Sequence, residues 1–373
     1  MMPAAGPPLR VALFTRYARL GASSRLRFLQ YLPSLRSQGI EVDVFPLFND
    51  DYLADLYARQ RRPAWRVLAA YAGRLAALRR ARCHDVLWLE KELFPFLPPL
   101  LERAASPGGV PVVVDFDDAV FHNYDLSRHS LVRRLLGRKI DAVMAAAACV
   151  SAGNGYLADR ARAAGATRVK VIPTVVDVSR YQARGAAVDA AAQPVVIGWI
   201  GSPATEHYLL ALLPVLQTAC AGNRARLVLV GASGSMLGAM VGVPVQVLPW
   251  SEGTEAAQIA AFDIGIMPLP DEPWERGKCG YKLIQYMACG LPVVASPVGV
   301  NRDIVEPGVT GFLAAGPADW QAALTALMAD PSQRQRMGRQ GRQRVEQVYS
   351  MQVQGAQIAR LLRSVARSGR GAA

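Results

Sequence analysis

Cysteine is scarce and scattered in this chain of 373 residues: Cys83, Cys149, Cys220, Cys279 and Cys289, with no CxxC pair among them. An odd number at such spacings argues against a disulfide framework and against a cysteine zinc site. Histidine is scarcer still, and His84, His122, His129 and His207 are too dispersed for a zinc pattern. No apolar run approaches the roughly 18 residues that a membrane span requires. The opening MMPAAGPPLRVALF has no charged region ahead of a long apolar core, so no signal peptide is expected, and the cytosol is the natural compartment. Acidic residues are also in short supply, 29 against 42 basic ones, for a net charge of +13 that is almost entirely arginine. That balance suits nucleic acid, anionic lipid or anionic small substrates, and equally a solvated basic surface. Nucleic acid is set aside, because no recognised module is present and the arginines are not interleaved with a stacking platform.

What is present is an alternation of strand and helix signals. RVALFT, IEVDVFPL, DVLWLE, VPVVVDF, ACVSAG and VKVIPT read as strands separated by helical stretches. One of those stretches is SSRLRFLQYLPSLRSQG, read as a helix capped by Ser23 or Ser24 and stopped at Gly39. After the small, flexible YQARGAAVDAAAQP the pattern restarts with VVIGWIGS, RLVLVG, VQVLPW, DIGIMPL and LPVVAS. Such order predicts an α/β protein with parallel sheets covered by helices on both faces. Length makes two domains the expectation. We place them at 1–183 and 184–348, with a helical segment and tail at 349–373. Ligands of α/β sheets bind at the carboxyl ends of the strands, which directs attention to the loops at 16–24, 115–121, 201–207, 231–235 and 268–281.

The densest chemistry lies in GKCGYKLIQYMACGLPVVAS, from Gly277 to Ser296. A helix starting near Gly280 puts Lys278 at its mouth, with Lys282 and Gln285 on the same face at spacings of four and seven. Free amides at a helix start, the positive end of its dipole and two ammonium groups make an anion site. Gly277 and Gly280 let a ligand approach the backbone, and Gly290 followed by Pro292 ends the helix. A diphosphate suits so many positive groups better than a carboxylate. The alternative is a solvated basic helix start.

KCGYKLIQYMACGLPVVASPVGVNRDIVEPGVTGFLA closely resembles the signature of glycosyltransferase family 4, with VIPTVVD, IGWIGSP, LVLVG and FDIGIMPL in the matching order ahead of it. The resemblance implies a GT-B fold: two Rossmann-like domains facing across a cleft, with the last helix crossing back to the first domain. It implies a retaining, nucleotide-sugar-dependent transferase whose second domain binds the donor and whose first binds the acceptor. No metal and no cofactor are implied beyond a UDP- or GDP-sugar as substrate. The donor-binding positions carried over are Gly201, Ser202, Pro203, His207, Gly277, Cys279, Gly280, Tyr281 and Gln285. This chain departs from the pattern where the family has two glutamates, here Gly277 and Gln285. It departs again where many members have an arginine and a lysine, here Ser202 and His207. Lys278 and Lys282 are expected to take over neutralisation of the diphosphate. The family's histidine near the reacting centre aligns with Asp117, so Asp117, Lys278 and Lys282 are the candidate catalytic residues.

In VVVDFDDAVF, Asp115, Asp117 and Asp118 could hold Mg²⁺ with a diphosphate; a hydroxyl contact for Asp117 is preferred, with at least one of the three bracing its loop. In GASSRLR, Gly21, Ser24 and Arg25 join Asp118 as candidates facing the cleft, Gly21 by permitting close approach of the diphosphate and Arg25 by binding a phosphate of a lipid-linked acceptor. Two basic stretches, 59–82 and 127–139, mix leucine and tryptophan with arginine and suit the inner face of an anionic membrane, or ordinary helices with solvated arginine faces. The function expected is transfer of a sugar to a cell-envelope or polysaccharide acceptor. The alternative is an inactive nucleotide-sugar-binding partner.

Overall fold

The computed structural model describes residues 7–57, 64–105, 108–183 and 194–370. It divides into two compact units, one of residues 1–174 and 354–373, the other of residues 175–353. Each unit is built on one six-stranded parallel sheet.

In the first unit the strands are β1 (Leu9–Tyr17), β2 (Ile40–Phe48), β3 (Val86–Glu90), β4 (Val112–Phe116), β5 (Cys149–Ala152) and β6 (Val169–Val171), in the order β2-β1-β3-β4-β5-β6. β1 lies inside the edge strand β2 and is hydrophobic, and its Val11, Ala12, Leu13 and Phe14 are wholly buried, as expected of a parallel strand covered on both faces. The single helix expected over 23–39 is broken. Helix Ala22–Arg27, a short 3₁₀ turn Leu29–Tyr31 and helix Leu32–Ser37 replace it. Phe28 leaves helical geometry at φ −134°, and Pro33, which has no N–H to give a preceding turn, sits in the first turn of the last piece. The C-terminal helix Met351–Arg370 counts with this unit from Gln354 on. There Gly355 lies against Tyr31 and Ser34, and Arg168 donates to Ser364.

In the second unit β7 (Val195–Ile200), β8 (Ala225–Val230), β9 (Val245–Leu248), β10 (Ile264–Met267), β11 (Val293–Ala295) and β12 (Gly311–Leu313) stand in the order β12-β11-β10-β7-β8-β9. Residues 175–183, placed with the first domain from sequence, pack here instead. Val176 bridges to Ser350 and Tyr181 is buried in this unit's core, so tertiary burial rather than the flexible composition after Gln182 sets the division. Two glycines shape this sheet. Gly198 on β7 and Gly265 on β10 are register partners. A Cβ on Gly198 would lie 2.0 Å from the Phe262 ring, and one on Gly265 2.4 Å from the Tyr286 ring. The pair forms a slot in which aromatic rings lie against bare backbone. From that slot the Tyr286 hydroxyl accepts from the Ile200 amide at 2.9 Å, which fixes helix Tyr281–Ala288 over the end of β7.

Candidate functional site

In the second unit, loops at the carboxyl ends of its strands converge around helix Tyr281–Ala288. The loop after β7 is tied to the loop after β8 by Glu206, which accepts from the Ser233 amide and hydroxyl, each at 2.6 Å. Gly231, at φ +79°, follows β8 so closely that a Cβ would stand 2.3 Å from the Gly201 carbonyl oxygen. The Tyr208 hydroxyl donates to buried Glu275, joining the β7 loop to helix Pro273–Arg276.

Gly280 is the residue before the signature helix and takes the left-handed conformation, φ +63°; a Cβ there would strike Ile304. The helix therefore begins at Tyr281, and Lys278 lies in the turn before it rather than on its first face. Lys278 stands 5.9 Å from the Trp274 ring centre. Lys282 sits one residue into the helix and reaches back to β7. Its Nζ lies 4.6 Å over the Trp199 ring, 3.3 Å from Thr205 Oγ1, and where a Cβ on Gly201 would come within 2.9 Å. Among the described residues no carboxylate pairs with it. Burial beside the indole, with the charge of Lys278 adding to it, pushes the Lys282 ammonium down to about 7. An anion bound here would restore its charge.

Of the other donor-site candidates, Ser202, Pro203 and His207 are exposed on the loop that Lys282 reaches. Gly277 and Cys279 are buried in the turn before the helix, and Tyr281 is half-buried. Gln285 is 2 % exposed, and its amide donates to Tyr181 at 3.0 Å. Tyr181 donates in turn to Glu255, which also accepts from the Trp250 indole. Gln285 is thus committed to a buried network and holds the helix against Tyr181. Sequence reasoning missed Trp199, Thr205, Tyr181 and Glu255. The tryptophan of IGWIGSP was in plain view, but nothing local marks it as a lysine's neighbour.

In the first unit, the carboxyl ends of β3 and β4 carry a dense charge cluster. Lys91 follows β3 at φ +63°, rare for a residue with a side chain. Its Nζ lies 2.8 Å from Asp117 Oδ1, 3.8 Å from Asp118 Oδ2 and 3.1 Å from Ser23 Oγ. Burial alone would raise the Asp117 carboxyl, but Lys91 and Arg27 outweigh it and hold it below the usual carboxylate range. Asp115 is clamped by Arg27 through two bonds of 2.8 and 2.7 Å, which makes it the loop brace expected of one of the three aspartates. Cations thus already occupy the carboxylates considered for Mg²⁺. Glu90 is fully buried, and burial raises its carboxyl despite Lys91 and the Ser24 hydroxyl.

Three first-unit expectations change. Ser24 is 0 % exposed, donates to Glu90 at 2.7 Å and accepts from the Tyr17 amide, so it braces β1 against β3 and no ligand reaches it. Gly21 is buried, and a Cβ there would stand 2.5 Å from Tyr17 Cβ; packing within the unit, rather than a diphosphate, explains the glycine. Arg25 is 6 % exposed rather than solvated, and its Nη1 donates to the Arg19 carbonyl. Asp118 remains partly exposed.

Residues 194–330 match the family of glycosyl transferases group 1. The second unit is a group 1 glycosyltransferase domain. A D-inositol 3-phosphate glycosyltransferase of Nocardia farcinica is 30 % identical over 194 residues, which cover 46 % of this chain and 42 % of that protein. An alpha-maltose-1-phosphate synthase of Mycobacterium tuberculosis is 37 % identical over 100 residues, 25 % of this chain and 24 % of that protein. The chain therefore spans less than half the length of these curated relatives. Among solved structures, sucrose-phosphate synthase from Thermosynechococcus elongatus superposes with a TM-score of 0.73 at 17 % identity, over 96 % of this chain and 100 % of that one. HepE of Anabaena, in complex with UDP-glucose, superposes with a TM-score of 0.69 at 18 % identity, over 95 % and 100 %. The glycosyltransferase domain and the sheet below residue 174 together have the GT-B fold. No described helix is long and apolar enough to cross a membrane.

Proposed function

We propose that this chain is a retaining glycosyltransferase that takes a sugar from a UDP- or GDP-sugar and delivers it to a cell-envelope or polysaccharide acceptor, lipid-linked acceptors included, at the inner face of the membrane. The observation that carries the reading is Lys282. A half-buried ammonium with no carboxylate partner among the described residues stands at a helix start, against the loop after β7 where the family holds its diphosphate. The HepE complex, with UDP-glucose bound on the same fold, supports a nucleotide-sugar donor.

In this reading Lys282, Lys278 and the first amides of helix Tyr281–Ala288 stabilise the negative charge that develops on the departing diphosphate. The loop at 201–207 supports it from the β7 side. Asp117 contacts a hydroxyl of the donor or of the acceptor. With no carboxylate nucleophile assigned, the leaving phosphate takes the acceptor proton in a front-face transfer, so the glycosidic bond to phosphate breaks as the bond to the acceptor oxygen forms.

The test is calorimetric titration with UDP-glucose and GDP-mannose, followed by assay of donor hydrolysis and transfer. Saturable binding that weakens about 30-fold or more in Lys282→Met, equivalent to about 2 kcal/mol, supports the donor site. Unchanged affinity in a folded Lys282→Met protein refutes it. Binding without any turnover would favour the inactive-partner reading, for which the replacement of the signature glutamates by Gly277 and Gln285 already gives a motive.

A further inference from the structure

The turn after β3 belongs to none of the motifs read from the sequence, yet it holds a closely constrained cation, Lys91. Lys91 combines three features that rarely coincide. Its backbone is left-handed at φ +63°, a conformation that costs a non-glycine residue energy and persists where the surroundings over-determine it. Its side chain is only 7 % exposed. Its ammonium faces two carboxylates at 2.8 and 3.8 Å and a serine hydroxyl at 3.1 Å. A glycine would relieve the backbone, so a lysine in this conformation directs attention to what its ammonium holds.

The backbone explains the aim. The Lys91 amide donates to the Asp115 carbonyl at 3.0 Å, and the Glu92 amide closes a tight turn onto the Glu90 carbonyl at 2.7 Å. These bonds direct the Lys91 side chain across the end of β4, where Asp117 and Asp118 follow Phe116. The charged and polar groups that face Asp117 are Lys91 from the β3 turn, Arg27 and Ser23 from helix Ala22–Arg27, and its neighbours Asp115 and Asp118, with Glu90 beneath. Arg27 is already engaged with Asp115 through both bonds of its fork. Lys91 is therefore the cation that bonds Asp117 directly, at 2.8 Å, with the charge of Arg27 adding to it.

We propose that Lys91 is a positioning residue that holds Asp117 as an ionised, fixed acceptor for a hydroxyl of a sugar bound at the carboxyl ends of β3 and β4, with the more exposed Asp118 carboxylate beside it as the acceptor for a vicinal hydroxyl. The inference rests on the transfer reading given above and adds a specificity: the sugar meets paired carboxylates as a neutral polyol. An acidic sugar, carrying its own carboxylate, is disfavoured at this end of the site.

The experiment compares Lys91→Met, Lys91→Arg and Asp117→Asn with the full-length wild type by thermal melting, by the pH profile of kcat/KM for sugar transfer or donor hydrolysis, and by NMR titration of ¹³C-carboxyl-labelled aspartate. In Lys91→Met the Asp117 carboxyl should titrate at higher pH than in the wild type, because its nearest cation is gone. The acid limb of the rate profile should move with it to higher pH, while donor KM changes little. Lys91→Arg should restore most of both. Asp117→Asn should lose the acid limb altogether. An Asp117 carboxyl that titrates alike in wild type and Lys91→Met overturns the proposal whatever the rates do. Normal transfer by Asp117→Asn also overturns it and leaves the transfer reading standing. A wild type that binds no nucleotide sugar and turns none over fails the transfer reading itself, and the hydroxyl role falls with it.

Discussion

Lys282 carries a pH dependence that can be worked out from its surroundings. Free, its ammonium is held down to about 7 by burial and by Lys278. A bound nucleotide-sugar diphosphate supplies opposite charge and returns it toward the ordinary lysine range near 10.4. Between those two values binding takes up a proton, so affinity must fall as pH rises, by up to about tenfold per unit. UDP-glucose is the ligand to use, because its diphosphate diester does not itself titrate near neutrality. Calorimetry from pH 6.5 to 8.5 should show affinity nearly level below about 7 and falling above it. Lys282→Arg, whose guanidinium stays charged throughout, should flatten the curve. A wild-type affinity that rises with pH over this span would contradict the assignment of Lys282 to the diphosphate. The same residue shows what a sequence discloses. The anion site was legible because its parts are contiguous: glycines, lysines and a helix start within a dozen residues. Trp199 and Thr205, which cover the Lys282 ammonium and aim it, come from a strand and loop some 80 positions away and leave no local trace.

At the scale of elements, helix Tyr281–Ala288 is only eight residues long, and its place is set by what lies beneath it. The slot made by Gly198 and Gly265 admits the Phe262 and Tyr286 rings, and the Tyr286 hydroxyl meets the Ile200 amide inside it. Gly265→Ala would thrust a Cβ to within 2.4 Å of the Tyr286 ring. Overpacking of this kind costs about 1–3 kcal/mol, and here the strain is relieved by lifting the helix and carrying Lys282 away from Thr205. The expected outcome is a lower melting temperature together with weaker UDP-glucose binding. Gly73→Ala, in the middle of an exposed helix of the first unit with nothing within 4 Å of the new Cβ, serves as the control and should raise stability by up to about 1 kcal/mol while leaving UDP-glucose binding unchanged. Loss of stability with donor affinity intact would show that the slot supports the fold without aiming the lysine. The parallel sheets and their alternation with helices could be read from apolar runs and loop residues, since that pattern is local. The broken helix after Gly21, the migration of residues 175–183 and the Arg27–Asp115 and Gln285–Tyr181 bonds, 88 and 104 positions apart, could not. They depend on which surfaces tertiary packing brings together.

For the molecule as a whole, the net charge of +13 acquires a direction from the first unit's surface. Helix Ala64–Arg80 leaves Trp65, Leu68 and Leu75 exposed beside Arg66, Arg79 and Arg80. Helix Ser130–Leu136 does the same with Leu131, Leu135 and Arg134. The stretch at 59–63, counted with the first of these helices from sequence, lies outside the described residues. A buried brace lies under the neighbouring segments: Lys139, with 0 % of its side chain exposed, pairs with Glu92 at 2.6 Å and Glu102 at 3.0 Å, while Tyr124 donates to Glu92. Leucines at the tips of a braced, arginine-rich surface suit an interfacial layer with anionic headgroups. Vesicles containing phosphatidylglycerol should therefore sediment the protein, and vesicles of phosphatidylcholine alone should sediment much less. Each arginine near such a surface contributes about 1 kcal/mol, so Arg134→Gln should weaken binding roughly fivefold at low salt and less as salt screens the surface. The double variant Leu131→Ser/Leu135→Ser removes apolar area worth about 2–3 kcal/mol if both side chains insert. It should weaken binding about 30- to 150-fold, and that loss should persist in salt. Because both leucines are exposed, the fold and donor binding should survive. Equal sedimentation with charged and neutral vesicles, or no change in the double variant, would make the arginines a solvated surface and return the acceptor to the aqueous phase.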